Sequence, residues 1–182
     1  MPVVNPNAVA FSAATRVFVK PHGGPDTAYV ELGLLGQNAQ LVVEETVREK
    51  RDFFPEVPVA VAVQAQSARL EFTVREWRSE NVAFAFGAAP TDVTTTTGTE
   101  GTVESLGIGG ARPVKYYTLK LEELMTNGQT RRVVLHKVRL GIRGGLSFAS
   151  VEEGGDIPMV ANAVYDPAAG KLLTIETITP SP

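Results

Sequence analysis

The residues able to carry chemistry are few and scattered. Two histidines occur: His22 in the turn cluster Pro21-His22-Gly23-Gly24-Pro25-Asp26, and His136 in the middle of an apolar and basic run. Simple alternation places His136 on one strand face with Val134, Val138 and Leu140. It therefore reads as a packed or interface histidine, because a typical acid–base or metal site needs partners close by. Cysteine is absent, which removes a disulfide framework, a cysteine metal site and a thiol nucleophile. No HExxH, GxSxG or Walker A sequence occurs. Gly107-Ile108-Gly109-Gly110 lacks the third glycine of a dinucleotide loop and the strand–helix context that such a loop requires.

Carboxylates are paired at Glu44/Glu45, Glu122/Glu123 and Glu152/Glu153. Neighbours on a strand point to opposite faces, so none of these pairs presents two carboxylates to one substrate. Residues 131–143 carry Arg131, Arg132, Lys137, Arg139 and Arg143 without an acid. Contact with phosphate is one reading. The favoured one is a solvated strand, or a strand facing an acidic partner subunit, since no aromatics interleave for base stacking. No catalytic residue, metal site or cofactor is expected, and the chain reads as non-enzymatic.

The elements that would position these residues are mostly strands. The 182 residues favour one domain, and 43% hydrophobic with 20% charged residues excludes a disordered chain. No apolar stretch is long enough for a transmembrane helix, and the first residues show no signal-peptide pattern. The net charge of −3 argues against a surface that grips nucleic acid all over. Prolines and glycines cut the sequence into short Val-, Thr- and Phe-rich runs. Residues 1–14 read as an N-terminal arm, 15–178 as one β domain and 179–182 as a C-terminal tail. Within the domain, 44–58 reads as a long charged loop and 88–113 as a Thr/Gly-rich loop or ragged hairpin. Residues 75–86 carry the one predicted helix, closed by Gly87, with Trp77, Val82 and Phe86 packing it on a sheet. Asn127-Gly128 is a hairpin turn signal. The fold class is mainly β: a single β-sandwich or barrel-like domain with one short flanking helix, a long loop and terminal arms.

The order of elements from about 28 to 87 resembles the tail tube (major tail) proteins of tailed bacteriophages. The resemblance rests on Tyr29-Val30-Glu31-Leu32-Gly33, on Leu41-Val42-Val43-Glu44-Glu45 and the charged excursion that follows. It continues through Leu70-Glu71-Phe72-Thr73-Val74-Arg75-Glu76 and the predicted helix ending in Gly87. The stretch from Ile157-Pro158-Met159-Val160 to Tyr165-Asp166 fits the end of such subunits more loosely. The resemblance implies a non-enzymatic virion protein, assembled in the host cytoplasm, whose hexameric rings stack into a hollow tube that conducts DNA without binding it tightly. Its partners would be further copies of itself, a tape-measure protein and other tail components, with no membrane anchor. The family is similar to the tube proteins of type VI secretion and other contractile injection machines. A tail terminator, an injection-system tube protein and a ligand-binding β-sandwich module remain open alternatives.

Residues 44–58 are expected to leave the domain as a long loop or hairpin and meet the neighbouring ring. Glu49, Lys50, Arg51 and Asp52 could pair across that interface and set its register. Phe53 and Phe54 supply apolar area that a solitary loop has no reason to expose. The competing reading folds the two phenylalanines back onto their own domain. The basic strand 131–143 is expected to face other subunits or the outside rather than the channel.

Overall fold

The computed structural model describes residues 8–10, 15–33, 35, 39–51, 58–99, 101–110, 113–146 and 155–180. In chain order the elements are β1 (Ala8–Ala10), β2 (Arg16–Pro21), β3 (Val30–Glu31), β4 (Gln40–Arg51) and β5 (Pro58–Val74). Then follow α1 (Ser79–Ala85), β6 (Val93–Gly98), β7 (Gly101–Leu106), β8 (Tyr117–Leu124), β9 (Thr130–Ile142), β10 (Ile157–Ala163) and β11 (Leu173–Ile178). The protein is mainly β, as its composition predicts. One antiparallel sheet runs β1-β4-β5-β10-β9-β8-β2-β3, and β6 and β7 form a separate ribbon. The strand β9 is long enough to carry β8 on one edge and β10 and β11 end to end on the other.

The sheet curls until its two edges approach. Ala10 on β1 and Arg16 on β2 are at opposite ends of the strand order, yet the chain between them spans at most about 20 Å. After β3, Leu32 donates its N–H to Val17 O at 2.9 Å, and Leu35 then bridges to Val74 on β5. The chain thus steps from the β2 edge back to β5, closing a barrel-like shape. Side chains from all the major strands meet in one core, including Val19, Leu41, Leu70, Leu121, Leu140 and Met159.

Strand β9 contains an irregularity that the sequence pattern hides. Tyr117 lies opposite Val138, but Leu119 lies opposite Leu135, so two steps on β8 face three on β9. The β-bulge falls at His136-Lys137 and reverses the alternation. Val133 and Leu135 face the core before it, Val138 and Leu140 after it. His136 consequently shares the outer face with Arg132 and Val134, not with Val138 and Leu140 as simple alternation predicts. The same bulge puts Arg132, Lys137 and Arg139 on one side of the strand.

The helix is shorter than its pattern. Residues 75–78 are not helical, and α1 covers Ser79–Ala85 only. Its buried residues are Asn81, Ala83, Phe84, Ala85 and, just beyond, Ala88, of which 81, 84, 85 and 88 have the i, i+3, i+4, i+7 spacing of one helix face. Trp77 precedes the helix and is 44% exposed. Val82 packs partly against the core, and Phe86 is the half-buried C-cap. The Phe84 ring meets Tyr117 edge to face, with centroids 5.3 Å apart. The helix ends in a Schellman motif: Ala88 N–H bonds Ala83 O and Gly87 N–H bonds Phe84 O, with Gly87 at φ +68°.

In both segments that read as a loop or a hairpin, the structure has the hairpin. Residues 44–51 belong to β4 and pair with β5 as far as Arg51 opposite Pro58, so most of the charged excursion is a hairpin arm. Residues 93–98 and 101–106 pair as the exposed Thr-rich ribbon. The run 28–35, expected as a strand, keeps only the short β3 and the Leu35 bridge. Asn127-Gly128 makes the β8–β9 turn, with Gly128 at φ +80°.

Candidate functional site

Two features stand out from the domain: the β4–β5 hairpin and the polar outer face of the sheet. Among the hairpin residues whose side chains are described, Val43 on β4 and Leu70 on β5 contact the core, with Ala68 buried beside them. Glu44, Glu45 and Thr46, and Ala65, Gln66 and Ser67 opposite, are already exposed. Pairing nevertheless continues to Arg51, roughly 25 Å further at about 3.3 Å per residue. Register shifts at Thr46/Val47 and Lys50/Arg51 add local twist. Glu49 and Lys50 sit opposite Val61 and Ala60 on this arm. Asp52, Phe53 and Phe54 lie outside the described residues.

On the outer face, opposite charges alternate across five strands. Arg16 lies opposite Glu122, Glu122 opposite Arg132, and Arg132 opposite Glu176, while Arg16 also forks onto Glu31 with Nε at 2.8 Å. Arg132 Nε donates to Glu122 at 2.9 Å, and its Nη1 lies 3.4 Å from Glu176. Lys120 reaches Glu122 at 3.2 Å and sits over the rings of Phe18 and Tyr29. The acid that the basic strand requires thus comes from its own sheet. Arg143 likewise pairs with Glu71 at 2.7 Å. Cross-strand pairs of opposite sign favour one register and penalise a slip.

Below this row the outer face forms a groove of about 730 Å³ that holds both histidines. The His22 Nδ1 hydrogen-bonds His136 O at 3.1 Å, and His136 Nε2 pairs with Thr174 Oγ1 at 2.7 Å. Lys20 donates to Asp26 and to Gly24 O. The charged groups lining the groove are engaged with one another, so a ligand would have to displace ion pairs to bind there. No described group of three His, Cys, Asp or Glu could hold a metal ion. No described helix is long and apolar enough to cross a membrane. Burial pushes the Tyr117 hydroxyl up to about 12, aided by Asp92, so this hydroxyl stays protonated and donates to Ala88 O at 2.9 Å.

The outer face predicts how stability follows pH. Hydrogen bonding from Arg16 holds the Glu31 carboxyl below its ordinary 4.5. For Glu122, burial acts upward, but hydrogen bonds and charge from Lys120 and Arg132 outweigh it and lower the carboxyl. Burial, then Lys171, lowers His136 below 6.5 against the opposing pull of Asp166 and Glu176. All three bind protons less readily when folded, so their stabilisation is complete above the ordinary values and lost as pH falls. Urea midpoints are expected to drop in two stages, one from about 6.5 downward and one below about 4.5. His136→Asn should abolish the first stage and leave the second; an unchanged first stage would assign it elsewhere.

No protein-family model matches the chain, and no curated protein is detectably similar to it. The groove, the charge row and the role of Phe84 escape a reading of the sequence alone. The signal for Phe84 was present in the 81/84/85/88 stripe, where a buried Asn81 masks the apolar pattern.

Proposed function

We propose that this chain is a structural subunit of a phage tail tube, which closes into hexameric rings that stack into a hollow conduit for DNA. The observation that carries the reading is the β4–β5 hairpin. The ribbon stays paired roughly 25 Å beyond Val43, and the sequence joining its two strands carries Asp52, Phe53, Phe54 and Glu56, charge and apolar area suited to contact with another molecule. The pairing of Arg132 and Arg143 with carboxylates of their own sheet supports a scaffold role, since among the described residues of β9 and its exit it leaves Arg139 without an acid rather than a row of free cations to hold a sliding polyanion.

Negative-stain electron microscopy of the purified chain over a concentration series tests the proposal. Stacked rings or tubes are the expected result. Finite rings that never stack would indicate a terminator that caps a tube, and monomers at every concentration would defeat the assembly reading.

A further inference from the structure

A second, smaller groove lies at the end of the domain beside the helix C-terminus. Ala85, Phe86 and Gly87, the segment 113–115, and Arg139 to Ile142 of β9 enclose about 360 Å³. Its walls mix apolar and polar surface, with Val114 54% exposed. Lys115 in its wall is neutralised by Asp92 at 2.7 Å. Arg139 is exposed at its rim, and among the described residues no acid pairs with it. Of the basic residues in 131–143, Arg131, Arg132 and Arg143 have carboxylate partners and Lys137 covers the Tyr116 ring at 4.5 Å.

The strand register decides what can fill this groove. Leu140 is level with Ala161, and Ala161 with Leu70 of β5. The hairpin tip begins where Arg51 meets Pro58, about 40 Å away along β5 at about 3.3 Å per residue. Tip and groove are therefore at opposite ends of one molecule, and a subunit's tip cannot fill its own groove. A contact between them joins copies head to tail, and such a heterologous contact repeats without closing when the copies are stacked.

We infer that the groove beside α1 receives the segment Asp52-Phe53-Phe54-Pro55-Glu56 of a second copy. This rests on the tube-subunit reading and assigns the surface that the hairpin meets. The two phenylalanines suit the apolar part of the wall around Pro113, Val114 and Ile142, and the flanking Asp52 and Glu56 supply the negative charge that Arg139 lacks. An apolar centre with a charged rim is the usual anatomy of a specific interface, and the charge pair fixes orientation.

The test uses the full chain. Arg139→Glu is expected to fold with an unchanged thermal midpoint, and to raise the concentration needed for tube formation by at least about tenfold. Adding Asp52→Arg should recover most of that loss. Because the chain has no cysteine, Phe54→Cys combined with Val114→Cys should give, on mild oxidation, a disulfide between copies and none within one. This second measurement holds even if Arg139→Glu misfolds. Normal tubes from folded Arg139→Glu, or no cross-link between copies, overturns the groove assignment. If Phe53→Ser/Phe54→Ser still blocks stacking in that case, the hairpin contact survives and only its acceptor is wrong. Tubes from that double variant as well remove the hairpin from the stacking contact and leave the tube reading standing, whereas no tubes from the unaltered chain defeat both.

Discussion

Replacing Phe84 with alanine is expected to cost about 3–5 kcal/mol, the range for truncating a buried aromatic in a core that cannot collapse around the cavity. Phe84 is 3% exposed and packs edge to face on Tyr117. Tyr117 in turn donates its hydroxyl to Ala88 O, just past the helix. The loss therefore reaches the anchor between α1 and the sheet. Trp77→Ala is the informative control. Trp77 is 44% exposed and precedes the helix, so about half of its apolar gain is at stake, roughly 1 kcal/mol. Urea unfolding of both variants at a concentration that keeps the chain monomeric reads the difference. Equal costs would mean that the tryptophan holds the helix to the sheet as firmly as Phe84 does.

Arg131→Met is expected to cost about 3 kcal/mol, because it removes a cation from a carboxylate that has left water. Glu123 is 8% exposed and lies opposite Arg131 where β8 and β9 pair. Arg131 Nε donates to Glu123 Oε2 at 2.9 Å. The pair alternates with Leu121 and Val133 on the core-side face, so truncating one partner strands charge near apolar neighbours. The double variant Arg131→Met/Glu123→Leu should recover most of the loss, since replacing both members of such a pair with apolar residues is often close to neutral. Denaturant midpoints for the three variants form a cycle. A single variant as stable as the double would show that Glu123 keeps water or another donor.

Much of the fold is legible in the residues because a half-buried sheet writes itself as alternation. Leu41 and Val43, Val17 and Val19, and Leu119 and Leu121 follow it and lie in or against the core. The errors have physical causes. Residues 44–51 carry so much charge that their sequence does not show how far the strand runs, yet they stay paired with β5 as far as Arg51. Residues 75–78 are good helix formers held out of the helix by tertiary contacts. The Asn81 side chain donates to Leu32 O and Glu76 O, and the Glu76 carboxyl occupies the space where Gly33 would carry a Cβ. Of the candidate interface, the composition of the tip was legible, but the groove was not. Its residues come from three separate stretches, and only the register shows that it opens opposite the tip.

The bulge at His136-Lys137 bears on how kinship with other chains would be recognised. A chain with a regular strand in place of β9 would have one residue fewer there and keep the same faces buried. Written beneath this sequence without a gap, it would set a core side chain against Arg139 and a solvent side chain against Val138. Every position beyond the slip would count as a mismatch although the two sheets superposed. Resemblance scored letter by letter fades faster across such a phase change than the architecture it encodes.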